Sequence, residues 1–146
     1  MAGPKFRYLP HTADIEFSAY GKDVSEAMEN AALALLSVVL DVKKIRSSRK
    51  ATKSIKISEE ADTLENLTWF VLQDINSKRA SSYISAYGFK VDSFAKAGGK
   101  YIIKGRLLYK KLAEDYTLLD VKAVTPHDLS VKLRKGRCTM TVTLDV

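Results

Sequence analysis

The chain has 146 residues, 46% hydrophobic and 28% charged, the size and balance of one globular domain (1–146) with a core of its own. Its 24 Lys and Arg against 17 Asp and Glu leave a formal charge of +7, and no apolar run approaches the roughly 20 residues of a membrane span. A single cysteine, Cys138, excludes an internal disulfide or a cysteine metal cluster, and Met1-Ala2-Gly3-Pro4-Lys5 lacks the apolar core of an export signal; the expected location is the cytoplasm, with no membrane partner.

In chain order, Lys5 to Leu9 and Asp14 to Tyr20 read as short strands around a Pro10-His11-Thr12 turn, because Ile15, Phe17 and Ala19 alternate with Glu16, Ser18 and Tyr20. Asp23-Val24-Ser25-Glu26 has the form of a capping box, and Ala27, Met28, Ala31, Ala32, Leu35, Leu36, Val38 and Val39 follow at helical spacing. The many alanines on that stripe predict close packing on a sheet. A basic segment comes next: Lys43, Lys44, Arg46, Arg49, Lys50, Lys53 and Lys56, with no acid between Asp41 and Glu59. It reads as a solvated loop and a lysine-guarded edge strand over Lys53 to Ser58; the alternative is contact with RNA phosphates through Lys43, Lys44, Arg46, Arg49 and Lys50, although no aromatic residue is interleaved to stack a base.

A second capping box, Asp62-Thr63-Leu64-Glu65, opens a helix with Leu64, Leu67, Thr68, Val71, Leu72 and Ile75 on one face, and Trp69 and Phe70 beside it as core or rim packing. Strands are expected over Tyr83 to Val91 and Tyr101 to Tyr109, joined across Gly98-Gly99, and an extended segment over Tyr116 to Thr125 that Pro126 interrupts. Leu129 to Leu133 and Arg137 to Leu144 flank the hairpin signal Lys135-Gly136. Two helices packed on one face of a largely antiparallel sheet, a two-layer α+β sandwich, is the expected architecture.

No phosphate-cradling glycine loop, nucleophile elbow or H-E-x-x-H is present, and His11 and His127, each near an Asp, lack a partnered nucleophile. Cys138 sits in an alternating strand, where a thiol without a base is inert. What remains is a pair of strand ends. Asp14 opens one strand, and Asp145, followed by the α-carboxylate of Val146, closes another. If the two ends meet, three carboxylates converge, and an oxygen-only set suits a hard cation such as Ca²⁺ or Mg²⁺.

The run Tyr8-Leu9-Pro10-His11-Thr12-Ala13-Asp14-Ile15 resembles the opening motif of the archease family. Tyr20-Gly21-Lys22-Asp23, the helix Ser25 to Leu35, Val121-Lys122-Ala123-Val124-Thr125 and the ending Asp145-Val146 are similar to its later segments, so the resemblance runs from Tyr8 to Val146. The pattern departs at Pro126, where the family typically has Tyr, and in the net charge of +7, where many relatives are acidic. The resemblance implies an accessory protein and not an enzyme. Its partner would be the GTP- and metal-dependent tRNA-splicing RNA ligase, whose guanylylation and multiple turnover it promotes, with tRNA touched indirectly. It further implies a divalent cation, calcium by preference with magnesium or manganese as alternatives, held by Asp14, Asp145 and Val146. His11, Lys122 and His127 would support the site or touch the partner. An RNA-binding or chaperone-like accessory to a tRNA methyltransferase is the alternative function, and a histidine-based hydrolase a third.

Overall fold

The computed structural model of the chain describes residues 3–10 and 14–146. The strands are β1 (Phe6–Leu9), β2 (Ile15–Gly21), β3 (Lys53–Ala61), β4 (Ser85–Ala97), β5 (Lys100–Lys110), β6 (Ala123–Arg134) and β7 (Arg137–Asp145); the helices are α1 (Val24–Val39), α2 (Val42–Ser47) and α3 (Leu64–Ser81). The expected α+β class holds. The strands divide into two antiparallel sheets, β1-β2-β7-β6 and β3-β5-β4, and both long helices touch both of them: α1 lies on β2 and β4, α3 on β6 and β3. Among the described residues no helix is long and apolar enough to cross a membrane.

The helices form where the capping chemistry places them, with one shift. Asp23 accepts from the Glu26 backbone N–H at 2.9 Å, while Glu26 reaches back to the Lys22 N–H at 3.0 Å. Along α1, Ala27, Met28, Ala31, Ala32, Ala34, Leu35, Leu36 and Val39 are fully buried, a wide arc whose alanines bring strands close on two sides. The cap of α3 is Thr63, not Asp62: its hydroxyl accepts from the Asn66 N–H at 3.1 Å, because β3 runs to Ala61 and delays the helix by one residue. Trp69 and Phe70 pack at the core's margin, their ring centroids 5.4 Å apart.

A third helix lies within the basic segment expected to be loop. In α2 the side chains Val42 and Ile45 turn into the core, and Asp41 accepts from the Lys44 N–H at 3.2 Å. Two apolar residues three apart suffice to anchor one and a half turns. After it, β3 is the edge strand that the lysines implied.

Both hairpin signals close two-residue turns, Gly98-Gly99 at φ +59° and +78° between Ala97 and Lys100, and Lys135-Gly136 with Gly136 at +71° between Arg134 and Arg137. The 116–125 stretch differs from expectation: its first part bridges Leu40 through Thr117, and regular pairing starts only at Ala123. Pro126 does not end the strand. Thr125 pairs with Thr143 and Ser130 with Thr141, so residues 126–129 bulge against Val142, and a proline fits where no ladder N–H is required. Asp128 adopts φ +59° there.

Cys138, Met140, Val142 and Leu144 point inward from β7, all fully buried. Burial, helped by the Asp23 carboxylate, pushes the Cys138 thiol up to about 11, which keeps it protonated and unreactive. Glu59 faces α3 from the inward side of β3, next to Asp74, which is ion-paired to Lys78. Partial burial, then the Asp74 carboxylate beside it, raises Glu59 to about 7 from its ordinary value of 4.5.

Two outcomes are expected from this packing. A methyl group on Gly21 would stand 2.3 Å from the Ala27 backbone nitrogen, where β2 turns into α1 and no side chain can yield. Gly21→Ala should cost about 2–3 kcal/mol and lower Tm by roughly 5–10 °C in thermal unfolding. For Glu59 the native state holds the proton more tightly than the unfolded chain, so its contribution favours folding below its ordinary range and is lost as pH rises through about 7. Glu59→Gln should therefore leave Tm unchanged at about pH 5 and raise it at about pH 8, by an amount that solvent screening holds to about 1 kcal/mol.

Candidate metal centre

The register of β2 on β7 decides whether the two strand ends meet. Ile15 pairs with Leu144 and Glu16 with Thr143, so Asp14, one residue before β2, and Asp145, the last residue of β7, lie at the same end of the sheet. Asp145 also pairs with Ala123 of β6, and its carbonyl accepts the Lys122 N–H at 2.8 Å. Three chain segments thus converge at one end of the four-stranded sheet: the start of β2, the end of β7 and the Lys122–Ala123 approach to β6. Val146 follows directly and packs partly buried against the core.

Asp14, Asp145 and Val146 are half-buried, and Lys122 and His127 are exposed. The neighbouring Asp120 meets Arg79 at 3.2 Å. His127 lies in the β6 bulge, its Nε2 3.5 Å from the Asp128 carboxylate and its carbonyl accepting the Thr125 hydroxyl at 3.4 Å. His11 lies outside the described residues, with Thr12 and Ala13. Among the described residues no three His, Cys, Asp or Glu side chains group as a metal site; the candidate donors at the strand ends are the carboxylates of Asp14 and Asp145 and a main-chain oxygen of Val146. Oxygen donors without nitrogen or sulfur match the hard-cation chemistry of Ca²⁺, Mg²⁺ or Mn²⁺ and argue against zinc.

What holds this end in place is a polar edge of α3 that the apolar periodicity of that helix does not reveal. Glu65 accepts the Val131 N–H at 3.1 Å, Gln73 accepts the Val124 N–H at 2.7 Å, and the Trp69 indole N–H donates to the Val124 carbonyl at 2.6 Å. One and two turns on, the Asn76 amide and the Arg79 guanidinium both donate to the Val121 carbonyl, at 3.0 and 3.1 Å. Arg79 is only 9% exposed and also donates twice to the Asn76 carbonyl oxygen, at 2.6 and 2.9 Å. A sequence signal for this edge exists: polar Gln73, Asn76 and Arg79 recur at three-residue spacing beside the apolar stripe.

The five basic residues considered for RNA contact separate in space. Arg46 lies over the Tyr87 ring at 5.7 Å and donates weakly to the Tyr87 carbonyl, which ties it to β4. Lys44, Arg49 and Lys50 line a hollow together with Tyr116, and Lys43 is exposed on α2.

Residues 6–146 match the archease protein family. The chain is 34% identical over 135 residues to the protein archease of Methanosarcina barkeri, covering 88% of this chain and 87% of that one. It is 32% identical to the protein archease of Pyrococcus furiosus, with 91% and 92% covered. The solution structure of protein 1598 of Methanobacterium thermoautotrophicum superimposes with a TM-score of 0.82 at 25% identity, covering 97% of this chain and 99% of that one. The crystal structure of a Thermotoga maritima archease and "possible chaperone" shares the fold at a TM-score of 0.55 and 19% identity, over 100% and 98% of the two chains.

Removing one member of the buried polar cluster tests its role in fixing the 120–124 segment. Asn76→Ala takes away the acceptor of two Arg79 hydrogen bonds and should cost about 1–3 kcal/mol in urea unfolding. Hydrogen exchange at Lys122 and Val124 should quicken more than exchange in β5.

Proposed function

Because the chain belongs to the archease family, we propose that it is a cytoplasmic accessory protein that activates a GTP- and metal-dependent tRNA-splicing RNA ligase, promoting guanylylation and multiple turnover. It does so through a divalent cation at Asp14, Asp145 and Val146. The observation that supports this most directly is the β2–β7 register, which carries the opening-motif aspartate and the last aspartate of the chain to the same sheet end.

Asp14 and Asp145 would bind the ion through their carboxylates, and Val146 through a main-chain oxygen. The Lys122 N–H on the Asp145 carbonyl keeps that backbone from swinging away. A bound divalent ion supplies concentrated positive charge able to bridge oxygens of two molecules. Ca²⁺ takes six to eight oxygen ligands and Mg²⁺ six. Two carboxylates and one main-chain oxygen leave part of either shell to water or to a partner's oxygens, so the tip is built to present a cation outward. Lys122, exposed beside it, offers a cationic hand for an acidic or phosphate group of the ligase. His127 in the β6 bulge and His11, three residues before Asp14 in the sequence, remain contact candidates. In this reading catalysis stays with the ligase: Cys138 is buried and protonated, and the exposed His127 ring meets the carboxylate of its neighbour Asp128.

Multiple-turnover ligation by a cognate ligase is the decisive measurement, with protein ending at Val146. Wild type should stimulate turnover, and Asp14→Asn or Asp145→Asn should each abolish most of that stimulation. Each should also weaken Ca²⁺ or Mn²⁺ binding in calorimetry at least about tenfold without lowering Tm in chelator. Full stimulation by both variants would remove the carboxylates from the mechanism.

A further inference from the structure

The hollow beside α2 carries chemistry that the strand-end site does not use. It is a single recess of about 510 Å³ between α2 with its trailing loop and the 112–116 segment. Lys44, Arg49 and Lys50 line it together with Ser47, Leu112 and Tyr116. Glu114 also lines it, so cations outnumber acids three to one. The basic run alone has no aromatic partner in sequence; the fold supplies one from far down the chain.

Three features make the recess fit for phosphate and base together. The carbonyls that end α2 would repel an anion, yet the buried Lys110 ammonium donates to the carbonyls of Arg46 at 3.1 Å and Ser48 at 2.7 Å and cancels that negative end. Tyr116 is fixed in place: its carbonyl accepts the Asp41 N–H at 2.9 Å, and its neighbour Thr117 bridges Leu40. A half-buried ring on a pinned backbone is a stacking surface whose ordering cost is already met by the fold. Finally, residues 116–122 join the recess to the strand-end site, and six extended steps span at most about 20 Å.

We infer that this recess binds one unpaired nucleotide of a single-stranded RNA, with Lys44, Arg49 and Lys50 on its phosphates and Tyr116 stacked on its base. A duplex buries its base faces in its own stack and offers nothing to Tyr116. The preference for RNA over other polyanions rests on the ligase reading; the binding itself does not require a ligase.

Fluorescence anisotropy of the isolated protein with a labelled single-stranded RNA, titrated in salt from about 50 to 200 mM, tests this. Arg49→Ala/Lys50→Ala should weaken binding about tenfold at the low end and flatten the slope of log affinity against log salt by about 0.7 for each phosphate no longer neutralised. Tyr116→Leu should weaken binding between about fivefold and a hundredfold with the slope unchanged, and Tyr116→Phe should bind as wild type. Lys132→Ala/Lys135→Ala, on the β6–β7 hairpin, should bind as wild type. The inference is overturned if the hairpin variant loses as much affinity as the recess variant, or if duplex RNA binds as tightly as the single strand. Absence of RNA binding, with ligase stimulation abolished in the Arg49→Ala/Lys50→Ala protein, would assign the recess to a protein contact, overturning the RNA inference while leaving the accessory role standing.

Discussion

The polar edge of α3 is the constraint on which the candidate site depends. β6 is an edge strand broken by a four-residue bulge, so one side of its backbone has no strand to pair with. Glu65, Trp69 and Gln73, one per helical turn, take that place, and Val124 has both its N–H and its carbonyl satisfied by α3 as if another strand ran beside it. Each such bond contributes about 1 kcal/mol net, but a buried backbone group left unpaired costs about 1–3 kcal/mol. The helix therefore does two jobs with two faces: apolar residues close the core, and a polar row holds the strand that leads to Lys122, Ala123 and the Asp145 ladder. It also shields an edge that would otherwise recruit another chain.

How much of this is legible in the sequence follows from the range of each interaction. The cap at Asp23, the stripe of α1 and the Gly98-Gly99 and Lys135-Gly136 turns are local, and local chemistry announces them. The cap of α3 falls at Thr63, one residue later than its box suggests, because β3 is longer than its alternating core, Ile55 and Ile57, indicates. α2 is hidden because charge dominates its composition, while its position is set by Ile45 in a pocket that other segments build. The strand ends at Asp14 and Asp145 are legible as ends; their meeting is not, because a register between residues so far apart leaves no trace in either segment. The same holds for Tyr116 and the basic loop, which only tertiary structure joins. Division of the strands into two sheets is likewise a long-range outcome, imposed by helices whose wide apolar arcs require cover on both sides.

The excess of positive charge reads differently once placed. It does not spread over the strand-end site, which sets two carboxylates beside one exposed lysine, but gathers where α2 and β3 meet the solvent. Several cations are already committed within the fold: Arg46 to Tyr87, Lys110 to the end of α2 and the same ring, Arg106 to Asp92 through three hydrogen bonds of 2.9–3.1 Å, and Arg79 to the Val121 carbonyl. An acidic end and a basic recess on one small protein allow it to be oriented in the field of a larger, unevenly charged partner before the two touch.

The placement of β7 also governs how the chain must be made. β7 lies inside its sheet, between β2 and β6, yet it is translated after both; Ser18 and Thr141, whose hydroxyls meet across β2 and β7 at 2.9 Å, are 123 residues apart. On the ribosome, β1, β2 and α1 emerge with the inner edge of β2 unoccupied, and it stays so until β7 clears the exit tunnel. Such non-local closure is slow, and an open strand edge is sticky while it waits. The nascent chain thus carries an open β2 edge throughout the synthesis of everything between β2 and β7, and the two strand ends reach the same end of the sheet only when that edge is covered.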